Sequence, residues 1–253
     1  MLGDVNHDWQ VSVADVTALV NMQKADNVEY SKNADIDGDG SITDIDTKAL
    51  VYQILGSHAL MYVEDVFTLS TSGRTVATGQ ILKGMFRTGQ PIVLRSISDA
   101  TPDVEFALSG IEMFRKAVEM AGAGDGVGIV VDVAKESVQR GDVLTIKNNP
   151  ELLHSKTVKG RLYLLTKAEG GRHTPAFLGY KPQMYAGGVG FSTELTNLGT
   201  VGGEAVEMIT PGQTSENVEL TVTEEGKTPY VYPGQVVPLR EGGRTIGRLT
   251  ITE

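Results

Sequence analysis

The chain contains no cysteine, no apolar run of 18 residues and only one tryptophan among its 253 residues. The lack of cysteine excludes disulfides and cysteine-ligated zinc, but it leaves the redox compartment open, because cytosolic and many bacterial secreted proteins share it. The lack of a long apolar run excludes a transmembrane helix, so no membrane partner is expected. The first residues are acidic, where a signal peptide needs a basic start and an apolar stretch, so no export signal is expected in the chain as written.

Positive charge is also scarce, since 22 Lys and Arg face 32 Asp and Glu for a net charge of −10. Residues 1–57 hold ten acids against three lysines, a net −7, and the rest of the chain carries only −3. The acid is therefore concentrated at the front. The remainder lacks the basic footprint of an autonomous nucleic-acid binder, so DNA is not expected as a partner and RNA only as a weak one.

Signatures of catalysis and of nucleotide binding are missing as well. A P-loop needs GxxxxGK[ST], and the partial match EGKT (residues 225–228) has Thr221 where the first glycine belongs. The four histidines are far apart in sequence, with no HExxH and no GxSxG motif. We therefore expect no enzyme and no bound nucleotide.

What is present is an internal repeat near the front of the chain. GDVNHDWQVSVADVTALV recurs 31 residues later as ADIDGDGSITDIDTKALV, with matching aspartates and apolar residues. After each acidic loop the apolar residues fall at helical spacing. The pattern predicts two loop-helix units that form a small all-α module.

Both loops follow the twelve-residue pattern of a calcium site, in which oxygen ligands come from positions 1, 3, 5, 7 and 12 and a water is held at position 9. Acidic turns that cap helices would explain one such loop, but not two in register. The repeat therefore predicts two Ca²⁺ ions. The predicted ligands are Asp4, Asn6, Asp8, the Gln10 carbonyl and Asp15 in the first loop (residues 4–15), and Asp35, Asp37, Asp39, the Ser41 carbonyl and Asp46 in the second loop (residues 35–46), with Ser12 and Thr43 at position 9.

The two loops differ at position 6, where the backbone turns sharply and glycine is usual. The second loop has Gly40 there, whereas the first has Trp9. Forcing a residue with a Cβ into this turn costs roughly 1 to 2 kcal/mol. Asn6 also supplies one negative charge less than an aspartate would. We expect the first loop to bind calcium at least about tenfold more weakly, since 1.4 kcal/mol corresponds to a factor of ten.

An aspartate at position 12 and helices that follow the loops, with none preceding them, resemble the type I dockerin module over residues 3–56. The resemblance implies a partner of the cohesin class, bound through calcium-ordered helices and generally outside the cell. Dockerins of cellulosomes often carry a Ser/Thr pair just before the last ligand. Here these places hold Val13-Ala14 and Asp44-Ile45, which departs from the cellulosomal pattern.

From Tyr62 onward the sequence changes to short alternating β-rich runs separated by glycine-bearing turns. Six motifs in this order closely resemble domains 2 and 3 of bacterial elongation factor Tu, which implies two all-β barrels. With a break at KNNPEL, the expected domains are residues 1–57, 58–150 and 151–253. The motifs are YVEDVFTLSTSGRTVATGQILKG, GIEMFRKAVEMAGAGDGVG, QRGDVL, TKAEGGRHTPAFLGYKPQMY, EAVEMITPGQ and VVPLREGGRTIG.

The same resemblance implies two surfaces that hold aminoacyl-tRNA in that family. Three departures weaken them: Gly126 replaces an amide that helps to hold the terminal adenosine, STSGRTVATG (residues 70–79) carries one residue more than the family's usual GRGTVATG, and AGGVG (residues 186–190) replaces an aromatic, an arginine and threonines. Weak tRNA binding is the most that we expect. The residues that match tRNA contacts of that family, named the carried-over residues, are Glu64, Asp65, Phe67, Thr78, Glu112 and Arg115 for the aminoacyl end, and Arg172 and His173 with the turn at residues 240–243 for the T stem.

The sequence as a whole favours a non-enzymatic binding protein in which a calcium-dependent docking module carries two barrels without a GTPase domain. One alternative is a translation-related tRNA-binding fragment, or a divergent elongation factor that lacks its GTPase domain. Another is an artificial fusion, because GSH at residues 56–58 resembles a vector scar. The compartment is extracellular or the cell surface if the docking module is used, and cytoplasmic if the protein serves translation.

Overall fold

The computed structural model describes residues 1–25, 29–36, 40–56, 58–69, 73–114 and 116–253. This part of the chain is mostly β, with two barrel-like sheets and two short α-helices near the front. None of the helices in the described ranges is long and apolar enough to cross a membrane.

The helices α1 (Val13–Gln23) and α2 (Asp44–Gly56) each follow one of the acidic loops. Ser12 caps α1 in a capping box. Its side chain accepts the backbone N–H of Asp15, and the side chain of Asp15 accepts the backbone N–H of Ser12. Leu19 of α1 and Leu50 of α2 are fully buried in one small core. The predicted loop-helix units are therefore present, whereas the complete paired module stays a prediction because residues 37–39 lie outside the described residues.

The first barrel is a sheet of nine strands in the order β6-β5-β11-β1-β3-β10-β7-β8, with β2 paired to β3. A separate antiparallel sheet of two strands, β4 and β9, accompanies it. Its core is aliphatic and contains Phe86. Its strands are β1 (Leu60–Tyr62), β2 (Asp65–Thr68), β3 (Thr75–Lys83), β4 (Met85–Arg87), β5 (Pro91–Arg95), β6 (Val104–Ala107), β7 (Ile111–Met113), β8 (Lys116–Val118), β9 (Met120–Gly122), β10 (Gly126–Val131) and β11 (Val143–Thr145).

The second barrel is a sheet of eight strands in the order β13-β23-β22-β15-β16-β20-β17-β18. An additional pairing of β13 with β20 closes six of them into a ring, which removes the open edges. Its strands are β12 (Leu153–His154), β13 (Thr157–Leu164), β14 (Ala176–Phe177), β15 (Gln183–Ala186), β16 (Val189–Asn197), β17 (Thr200–Val201), β18 (Glu204–Ala205), β19 (Met208–Ile209), β20 (Thr214–Val222), β21 (Tyr230–Val231), β22 (Val236–Glu241) and β23 (Arg244–Ile251).

The two barrels meet around Tyr62, which is 7% exposed and donates its hydroxyl to the carbonyl of Tyr230 at 2.6 Å. The turn between β15 and β16 consists of Gly187 and Gly188, with φ values of 57° and 76°. Positive φ at both central residues is what a two-residue type I′ hairpin requires. A Cβ at Gly187 would lie 2.6 Å from Cδ1 of Tyr62, so this position of the AGGVG segment accommodates only glycine against the ring.

EGKT, the partial P-loop match, also lies between the barrels. It forms a turn in which Gly226 has a φ of 72°. Its backbone accepts the N–H of Asp99 at 2.9 Å, and the N–H of Thr228 donates to the carbonyl of Ile97 at 2.9 Å. This segment therefore joins the two barrels through backbone hydrogen bonds.

Candidate functional site

The first loop is organised around Asp15, whose side chain is fully buried. Its Oδ1 accepts the backbone N–H groups of Val5 at 2.8 Å and Asn6 at 3.1 Å, and its Oδ2 accepts that of Ser12 at 2.8 Å. One carboxylate thus joins the beginning of the loop to the beginning of α1. Asp15 occupies position 12 of the loop, which supplies the last ligand in a calcium site.

These contacts also decide the charge of Asp15. Burial raises the pKa of its carboxyl, but the backbone hydrogen bonds from Asn6, Ser12 and Val5 lower it, and the pKa ends below its usual value. Asp15 is therefore ionised at neutral pH, as a calcium ligand must be.

The other predicted ligands of the first loop lie close to one another. Asp4 is buried and its Oδ1 accepts the N–H of Asp8 at 3.1 Å. The side chain of Asp8 accepts the N–H of Gln10 at 2.9 Å and the Nδ2–H of Asn6 at 3.0 Å. The loop is folded, and its side-chain oxygens accept hydrogen bonds from the Asn6 amide and from backbone N–H groups of the loop.

The second loop repeats this arrangement where it is described. Asp46 is fully buried, with Oδ1 accepting the N–H of Ile36 at 2.7 Å and Oδ2 that of Thr43 at 2.8 Å. Asp35 is buried, and its Oδ2 accepts the N–H of Gly40 at 3.0 Å. The two final aspartates therefore make corresponding contacts, as the 31-residue repeat predicts.

The donor set fits calcium in its chemistry, because every predicted ligand is a carboxylate, amide or carbonyl oxygen. Ser41 is exposed next to Gly40, whereas Asp37 and Asp39 lie outside the described residues. Within the described ranges, no group of three acidic or histidine side chains is gathered closely enough to hold a metal ion.

The sharp turn at position 6 is present in both loops. Trp9 has a φ of 69° and Gly40 a φ of 88°, so the tryptophan adopts the left-handed conformation that glycine adopts freely. His7 has a φ of 62°, which adds a second left-handed residue to the first loop. Trp9 is 81% exposed, so no packing of its indole offsets this backbone strain.

Apolar side chains at the start of both helices face solvent. Val13 is 70% exposed at the beginning of α1, and Ile45 is 53% exposed in the first turn of α2. They belong to the two pairs that sequence reasoning placed just before the final ligands. The structure thus shows an exposed apolar residue at nearly the same place in each copy of the repeat.

On the first barrel, four of the carried-over residues line one cleft of about 420 Å³: Glu64, Phe67, Thr78 and Glu112. Strand register explains the meeting of the last two, since Gly128 of β10 pairs with both Thr78 of β3 and Glu112 of β7.

Asp65 lies beside this cleft, because its carbonyl accepts the hydroxyl of Thr78 at 3.2 Å. Sequence reasoning missed Phe114, which also lines the cleft and is 90% exposed with a φ of 50°. Its place in the motif IEMFRK was the available signal. Arg115 lies outside the described residues.

On the second barrel, the two carried-over loops lie side by side. Nη1 of Arg172 is 3.4 Å from Oε2 of Glu241, and its guanidinium stacks over the ring of Tyr180 at 4.2 Å. Arg240 likewise lies over Tyr185 at 5.0 Å. His173 is exposed beside Arg172. Both arginines are therefore engaged within the protein, which reduces what they can offer to a phosphate.

Three protein families match successive parts of this sequence. Residues 2–55 match the dockerin type I domain, residues 74–145 match elongation factor Tu domain 2, and residues 152–253 match the elongation factor Tu C-terminal domain. The matched domains include no GTPase domain and no catalytic domain.

Proposed function

Because the chain carries a dockerin type I domain followed by domains 2 and 3 of elongation factor Tu, we propose that it is a calcium-dependent docking protein without enzymatic activity. Its partner is a cohesin domain. The proposed domains are residues 1–57, 58–150 and 151–253. The docking role places the protein outside the cell or on its surface, attached to a cohesin-bearing partner.

The observation that carries this proposal is the repeated arrangement of Asp15 and Asp46. Each is fully buried and accepts the backbone N–H groups of the second and ninth residues of its loop. Type I dockerin domains bind calcium. A bound ion would supply positive charge between carboxylates that otherwise repel one another. The residues proposed to hold the two ions are Asp4, Asn6, Asp8, Gln10 and Asp15, and Asp35, Asp37, Asp39, Ser41 and Asp46.

The exposed residues at the helix starts give this module a docking surface. Val13 lies two residues before Asp15 and Ile45 one residue before Asp46, so an ordered loop would fix where each side chain points. Apolar side chains that lose their exposed area on binding contribute roughly 25 cal/mol per Å² buried. A cohesin with an apolar complement therefore suits this surface better than one that recognises hydroxyl groups.

In this proposal the dockerin module attaches the two barrels to the cohesin-bearing partner, and the barrels do not act as a translation factor. Arg172 and Arg240 are engaged with Glu241, Tyr180 and Tyr185, and Gly126 has no side chain to hold an adenosine. A net charge of about −3 over residues 58–253 adds no attraction for phosphate. Binding of tRNA is therefore expected to be weak.

The proposal is tested by measuring the binding of the full chain to a panel of purified cohesin domains, in calcium and in excess chelator. We expect at least one cohesin to bind in calcium and to dissociate in chelator. Val13→Ser and Ile45→Ser, which remove the apolar side chains without adding charge to either loop, should weaken this binding without changing calcium affinity. Binding that is equal in calcium and chelator, or no binding across the panel, contradicts the proposal.

A further inference from the structure

The second loop has a side-chain contact from outside its twelve residues. The hydroxyl of Tyr30 donates to Oδ2 of Asp35 at 2.9 Å. The same oxygen accepts the backbone N–H of Gly40 at 3.0 Å. Two donors, one before the loop and one inside it, thus fix the direction of the carboxylate at position 1.

In the described parts of the chain, the carboxylate of the corresponding aspartate of the first loop has no such contact, although the side chain of Asn33 donates to the backbone carbonyl of Asp4 at 3.1 Å. Among the described residues, the carboxylate of Asp4 accepts the backbone N–H of Asp8 at 3.1 Å and no side-chain donor. The difference does not come from burial, because Asp4 is 3% exposed and Asp35 is 6% exposed. The contact of Tyr30 therefore distinguishes the second loop from the first.

We propose that Tyr30 is a positioning residue for calcium in the second loop, where it restricts the rotation of the Asp35 carboxylate. This inference rests on the proposed calcium-dependent function. A carboxylate whose rotation is already restricted loses less conformational freedom when it binds an ion. Partners that orient metal ligands in this way commonly change metal affinity by 10- to 100-fold when they are removed. Tyr30 itself is 60% exposed, so its ring contributes little to the core.

Calorimetric titration of the full chain with Ca²⁺ tests the role of Tyr30 in the variant Tyr30→Phe, which removes only the hydroxyl. We expect the tighter of two sites to weaken about tenfold and the weaker site to stay unchanged. Tyr163→Phe is the matched control, because the hydroxyl of Tyr163 donates to Oε2 of Glu169 at 2.9 Å in the second barrel. It should leave both affinities unchanged.

The outcomes separate this inference from the function on which it rests. Two sites that keep their affinities in Tyr30→Phe, or that weaken equally, overturn the role of Tyr30 while the calcium-dependent function stands. A wild-type chain that takes up no calcium overturns the proposed function itself. Circular dichroism of Tyr30→Phe in saturating calcium should match that of the wild type, and a loss of helix confined to the variant would reveal a structural role instead.

Discussion

Replacement of Asp46 by alanine is expected to abolish the tighter calcium site. Asp46 is the proposed last ligand of the second loop, and its buried oxygens also accept the N–H groups of Ile36 and Thr43. Its loss removes a charged ligand and leaves two backbone donors unpaired, each at a cost of about 1 to 3 kcal/mol. Calorimetric titration should show the tight site lost and the weak one retained.

Asp44→Ala is the matched control for this experiment. Asp44 lies two residues away, its side chain is 78% exposed, and it pairs with Lys48 at 2.9 Å. Exposed pairs of this kind contribute about 0.3 to 0.5 kcal/mol on a helix, so its removal should leave calcium affinity almost unchanged. Equal losses in Asp44→Ala and Asp46→Ala would contradict the role given to Asp46.

The variant Asp15→Ala decides the order of the two loops. The left-handed Trp9 and His7 strain the first loop, and Asn6 reduces its charge, so Asp15→Ala should remove the weaker site. If the tight site disappears with Asp15→Ala and survives Asp46→Ala, the order is reversed.

Gly187→Ala is expected to destabilise the pair of barrels strongly. Its Cβ would lie 2.6 Å from Cδ1 of Tyr62, a ring that is buried and held by the carbonyl of Tyr230. Overpacking of this kind costs about 1 to 3 kcal/mol. The strain of alanine at a φ of 57° adds roughly 1 to 2 kcal/mol. Denaturant unfolding followed by circular dichroism measures the sum.

Gly202→Ala separates the two contributions. Gly202 has a φ of 63°, but a Cβ there meets no atom within 4 Å. The free energy of unfolding of Gly202→Ala should therefore fall only by the cost of the backbone strain. Gly187→Ala should be less stable than Gly202→Ala by about 1 to 3 kcal/mol. Equal losses in the two variants would show that the turn does not press against Tyr62.

Local pattern was enough to predict the loops and the helices. The repeat placed Asp15 and Asp46 at corresponding positions, and both make corresponding hydrogen bonds. The turn expected at position 6 is present at Trp9. These features depend on residues close in sequence, where spacing and backbone chemistry restrict the fold. Four of the six carried-over residues of the first barrel line one cleft, because the motifs themselves define strands that pair.

Contacts between residues that are far apart in the sequence could not be predicted from it. No local signal shows that Gly187 packs against Tyr62, or that Arg172 pairs with Glu241, because these residues are 125 and 69 positions apart. Tyr30 could be read as an ordinary exposed aromatic residue until its hydroxyl was found on Asp35. Such pairings depend on which surfaces the folded barrels and loops present to each other.

Hydrogen exchange of the full chain, in calcium and in excess chelator, tests the central claim that calcium orders the docking module while the barrels fold without it. Amides of α1 and α2 should lose their protection in chelator, because the small core around Leu19 and Leu50 has little apolar area with which to hold the helices alone. Amides in the strands of both barrels should keep their protection. Helices that are equally protected in calcium and in chelator would contradict the account.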